Sequence, residues 1–153
     1  PDVPSPLARD RAVGVPTDLV SLVNVVPIEG ASDPRVRACL KPFVQSLFTK
    51  ARAAGLNIVL TSAYRPGAIT NRGTPSGHGK GEAFDVGLRP AASFSPNPPD
   101  RRIDRLIAIA FEVGFKPPEG DTIDEYNYPS SETIGPHVHM EFNAGYCDQY
   151  GTF

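Results

Sequence analysis

The chain has three histidines, and they fall in two places: His78 within SGHGKGEAFDV, and His137 and His139 within PHVHMEF. Each place reads as a strand or its entrance beside glycine-rich loops. A lone histidine is most simply a hydrogen-bonded core or surface residue, but here an acid, Asp85, lies in a strand that should be buried. Side chains alternate faces along a strand. Phe84 and Val86 claim the core face, which leaves Asp85 on the other face with the small residues Ala83 and Gly87. A carboxylate so placed needs a partner, because an unpaired buried charge is costly. The same logic turns Val138, Met140 and Phe142 to the core and His137, His139 and Glu141 away from it. If the two strands are neighbours, Asp85, His137 and His139 converge, and His78 arrives from the loop before Asp85. Glycines at 77, 79 and 81 let that loop turn tightly. Two imidazoles and one carboxylate around an open position form a catalytic zinc sphere. The alternative is a structural ion pair joining Asp85 to a histidine or to Arg65.

The elements that must position these residues are legible in part. Asp33-Pro34 reads as an N-cap and first helical residue, and Val36, Leu40, Phe43, Val44, Leu47 and Phe48 then recur at helical spacing. Pro42 should kink this helix, and Gly55 should end it. Leu56 to Tyr64 is rich in β-branched residues and reads as a central strand. Glu82 to Leu88 is a second strand and Pro136 to Asn143 a third. Between them, Asp100 precedes a helical stripe of Ile103, Leu106, Ile107, Ala110, Phe111 and Val113 that Gly114 ends. Val13 to Val26 predicts a short strand or irregular packing. Phe115 to Gly135 reads as irregular and acidic, and Pro1 to Arg11 as part of an extended arm. The expected fold is α+β: a small antiparallel sheet with helices packed on one side and long irregular loops. The expected organisation is an N-terminal arm over 1–13 and one domain over 14–153.

Composition narrows the function classes. The 153 residues carry 15 Lys+Arg against 17 Asp+Glu, a net charge of −2, so no electrostatic case for nucleic acid arises. No apolar run is long enough to span a membrane. Glycine and proline, 14 and 17 residues, argue against a helical bundle or a regular doubly wound sheet. The chain opens on Pro1, and its only methionine is Met140, so a trimmed N-terminus is expected, by removal of a secretory signal or otherwise. Cys39 and Cys147 fit no CxxC motif and are either two buried thiols or a disulfide. The disulfide is the favoured reading and implies an oxidising compartment.

Ser76-Gly77-His78-Gly79-Lys80-Gly81-Glu82-Ala83-Phe84-Asp85 matches the pattern S-x-H-x-x-G-x-A-x-D, and His137-Val138-His139 supplies a later H-x-H. These resemble the zinc D-alanyl-D-alanine carboxypeptidases and the wider group linking them to lysostaphin and the sonic hedgehog signalling domain. Ser62-Ala63-Tyr64-Arg65-Pro66 is similar to the S-x-Y-R-[SP] strand end of that family, and Thr70-Asn71 to the short polar segment after it. The resemblance runs from about Val15 to Phe142. It implies that His78, Asp85 and His139 bind one zinc ion per chain. It also implies that Arg65 holds a substrate carboxylate or the developing oxyanion, and that His137 sits beside the metal as a hydrogen-bonding or acid–base residue. One departure stands out. Some branches place a glutamate general base three positions before the last ligand, where this chain has Pro136. His137, Glu141 and Glu132 are the available substitutes.

The resemblance thus implies a secreted or extracytoplasmic, monomeric zinc metallopeptidase acting on peptidoglycan or muropeptide stems. The D-Ala-D-Ala carboxypeptidase type comes first. A cell-wall endopeptidase and a hedgehog-like zinc-containing binding domain without hydrolysis are the alternatives.

Overall fold

The computed structural model describes residues 16–131 and 133–150. The expected arm, the domain start at residue 14 and Glu132 lie outside the described residues. Strands β1 (Leu19–Ser21) and β2 (Arg35–Arg37) form a small antiparallel pair. A 3-10 turn, Ala38–Leu40, then leads into helix α1 (Lys41–Ala53), followed by β3 (Asn57–Ser62), β4 (Ala83–Arg89), helix α2 (Arg101–Val113), β5 (Gly120–Asp124), β6 (Val138–Phe142) and the short helix α3 (Tyr146–Tyr150). The main sheet has the order β3-β4-β6-β5, and every pairing in it is antiparallel.

Period-two alternation decides the sheet's two faces. Phe84, Val86, Val138, Met140 and Phe142 are buried and form one apolar cluster with Val44 and Leu47 of α1 and Ile103 and Leu106 of α2. Phe115 stacks on Phe142 at 4.8 Å between ring centroids and meets Phe84 edge-on at 5.2 Å. Truncating a ring buried as fully as Phe84 would destabilise the fold by about 3–5 kcal/mol. With the helices on this face, the opposite face is left for polar chemistry. The α+β class and the one-sided packing expected from the sequence both hold.

Helix α2 follows its signals closely. The Asp100 side chain accepts a hydrogen bond from the Arg102 amide, and Gly114 closes the helix at φ +132°. Helix α1 does not begin where the Asp33-Pro34 pair suggests. Val36 lies in β2, and the helix starts at Lys41, so Pro42 occupies its first turn. Proline is tolerated there, because the amide it lacks has no helical partner at that position, so the reason for expecting a kink is removed. The segment read as mostly irregular, Phe115 to Gly135, contains β5, whose sequence GDTID carries one large apolar residue. The Cys39–Cys147 disulfide is formed, joining the 3-10 turn to α3 with 5.6 Å between Cα atoms. Among the described residues, no helix is long and apolar enough to cross a membrane.

Candidate metal centre

Strands β4 and β6 are neighbours, and their register sets Asp85 directly opposite His139. Both point away from the apolar cluster into a cleft of about 1320 Å³, also lined by His78, Arg65, Lys80, Glu125 and His137. His78 enters from the loop that precedes β4. Two glycines shape that loop for different reasons. A Cβ on Gly79 would lie 2.4 Å from the Ala68 carbonyl oxygen, so this position needs space. Gly81 adopts φ +71°, so it needs the left-handed backbone. The His78 carbonyl accepts from the Arg65 amide at 3.1 Å, which fastens the loop to the end of β3. A bulge between Leu60 and Ser62 bends β3 at the same level.

One ligand atom each from His78, Asp85 and His139 lies within 4.8 Å of the others, a group that could hold a metal ion. Their outer contacts favour this. His78 Nδ1 donates to the Ala63 carbonyl at 2.7 Å, so in the neutral ring Nε2 carries a lone pair, and it faces Asp85 Oδ1 at 3.2 Å. His139 Nε2 donates to Glu141 Oε1 at 2.7 Å, which turns Nδ1 toward Asp85 Oδ1 at 2.9 Å. Three acceptors therefore meet at one point, an arrangement that a proton or a cation must bridge. Acceptors on the outer nitrogens are also what orient metal-binding imidazoles. The residues fit the ion that the resemblance implies.

Electrostatics agree. Burial would raise the Asp85 carboxyl, but its side-chain contacts with His139 and His78 outweigh it and hold the group well below the usual carboxylate range. Burial would lower His139, yet its hydrogen bonds to Asp85 and Glu141 win and push it up to about 10. Glu141 is held down by His139 against the opposing effect of its own burial.

The other expected site residues are also in the cleft. Arg65 is exposed on its wall and makes no ion pair with a described residue. His137 Nδ1 donates to the Gly135 carbonyl at 2.7 Å, the backbone contact that a purely structural histidine would make. Its Nε2, however, contacts Glu125 and lies 3.5 Å from Asp85 Oδ2. Glu125 was missed by the sequence reading. It follows β5 directly, and its one retrospective signal is that strand-like alternation continues from Ile123 to Glu125. Of the suggested substitutes for the glutamate absent at position 136, Glu141 is bonded to His139, and Glu132 is outside the described residues.

No family model and no curated protein sequence matches this chain. A solved structure of the LdcB LD-carboxypeptidase, presented as revealing the molecular basis of peptidoglycan recognition, is similar at TM-score 0.51 and 17% sequence identity. The similarity covers 86% of this chain and 71% of that one. At this identity the likeness shows a shared fold.

Proposed function

We propose that the protein is a zinc metallopeptidase that hydrolyses peptidoglycan stem peptides, of the D-Ala-D-Ala carboxypeptidase type, with residues 14–153 as its single catalytic unit. The observation that carries this reading is the convergence of His78 Nε2, Asp85 Oδ1 and His139 Nδ1 in an open cleft, with the outer nitrogen of each imidazole held by an acceptor. A zinc ion held by these three residues would supply a Lewis acid that polarises a carbonyl and acidifies water. The fold shared with a carboxypeptidase of peptidoglycan supports the substrate class.

The chain's own residues do the rest. Arg65 offers a guanidinium fork to a substrate carboxylate from the cleft wall. His137, held at Nδ1, presents Nε2 beside Asp85 to hold or pass a proton near the reacting carbonyl. The cleft exceeds the roughly 300–1,000 Å³ of ordinary small-ligand pockets, which suits a peptide. That size also supports a second reading, cleavage within a stem, because the cleft extends to Ile69 on one loop and Ile134 on another. The disulfide fits an oxidising, extracytoplasmic setting.

The test is a muropeptide ending in D-Ala-D-Ala, incubated with the protein before and after chelation and again after zinc is restored. Release of D-alanine that stops and returns with the metal is expected. Release of an internal fragment selects the endopeptidase. Binding without turnover selects a hedgehog-like recognition domain.

A further inference from the structure

The contact between His137 and Glu125 is a second, separate arrangement beside the three-ligand cluster. Glu125 lies on the β5 side of the site, and its amide donates to the His137 carbonyl at 3.1 Å, so strand pairing sets the two residues face to face. Glu125 Oε2 contacts His137 Nε2, and both side chains are about 15% exposed. Its other oxygen is fixed independently, since the Thr133 hydroxyl donates to Oε1 at 3.0 Å. The Ser130 amide in turn donates to Thr133 Oγ1 at 2.9 Å. Both ends of the carboxylate are thus held, and the imidazole is held at both nitrogens.

We propose that Glu125 is the positioning residue of His137: the carboxylate that fixes this imidazole beside the three-residue cluster. The assignment rests on the peptidase reading above. It is a matter of geometry. Because the Gly135 carbonyl can only accept, His137 Nδ1 carries a hydrogen, and the remaining nitrogen, Nε2, is the one that Glu125 meets. Glu141 cannot take this place, since it holds His139. The carboxylate therefore comes from the residue that follows β5.

The experiment compares the full-length parent with Glu125→Gln, Glu125→Asp, Thr133→Val and Glu141→Gln, all loaded with zinc. Zinc content and imidazole ¹⁵N spectra are recorded beside muropeptide kinetics. Glu125→Gln is expected to keep one zinc and to move the His137 resonances while leaving those of His78 and His139 in place. Glu141→Gln should instead move His139. In kinetics, kcat should fall roughly 10–100-fold with KM nearly unchanged, the scale of losing an orienting partner. Glu125→Asp should recover part of it, and Thr133→Val should lose a smaller part. Unmoved His137 resonances, parental kcat in Glu125→Gln, or loss of zinc from that variant would each overturn the assignment, the last by making Glu125 a ligand. If the parent cleaves no muropeptide, the peptidase reading fails by itself, and the spectra still decide whether Glu125 holds His137.

Discussion

In the metal-free protein, a proton on His139 would occupy the place that the proposed cation would take, and the competition would set a measurable pH dependence. With the imidazole pushed up to about 10, roughly one ring in a thousand is neutral at pH 7. Zinc requires the neutral ring, so its apparent affinity should be weakened about 10³-fold at pH 7 and should rise about tenfold per pH unit above it. Titration calorimetry in buffers of different protonation heats, between about pH 6.5 and 8.5, should find about one proton released per zinc bound, and affinity should rise about 100-fold across that window. Glu141→Gln removes one of the carboxylates that hold the proton, so in that variant the affinity should level off at lower pH. The stability of the metal-free protein runs the other way. A group whose value is raised in the fold stabilises it fully below its unfolded value near 6.5, and that contribution is lost as pH rises through about 10. A flat affinity with no proton release would refute the reasoning, because it would mean that no proton bridges His139 and Asp85.

Three further outcomes are expected. Arg65→Lys should fold normally and lose much of kcat/KM, since an ammonium cannot offer a bidentate fork; unchanged kinetics would remove Arg65 from the site. His137→Ala should keep its zinc while kcat falls about 10²-fold or more, read by metal analysis beside kinetics. Replacing Cys39 and Cys147 by alanine opens a link between residues 108 apart, worth about 5 kcal/mol in the chain-entropy treatment. At about 2–4 °C per kcal/mol that is a Tm drop of about 10–20 °C by scanning calorimetry, and a drop under 3 °C would discount the link.

The convergence of His78, Asp85 and His139 was legible because two physical regularities meet there. Alternation fixed the faces of β4 and β6, and a buried carboxylate between small residues demanded partners. Adjacency of the strands was conditional in the sequence, and the register that sets Asp85 against His139 comes from the structure. Glu125 was hidden for a related reason. β5 is an edge strand that pairs only with β6 and needs little apolar surface, so Gly120 to Asp124 shows no strong pattern. The start of α1 was misplaced because Asp33 and Pro34 carry local cap chemistry. The Asp33 carboxylate instead pairs with Arg35 at 2.8 Å, and β2 takes the residues that follow. Helix α3 is too short for periodicity to reveal it.

The sheet order β3-β4-β6-β5 places its last strand inside the sheet. β5 has no neighbour in it except β6, so without β6 it has nothing in this sheet to pair with, and Asp85 lacks His139. The three-residue cluster therefore depends on a long-range pairing and is not contained in any local segment. A truncated chain that ends before His137 lacks both His139 and the imidazole that Glu125 faces, so the proposed competence to bind a cation should need the β4–β6 pairing. Since a cation that binds only the paired form shifts the folding equilibrium by mass action, its capture should act as a latch on that pairing.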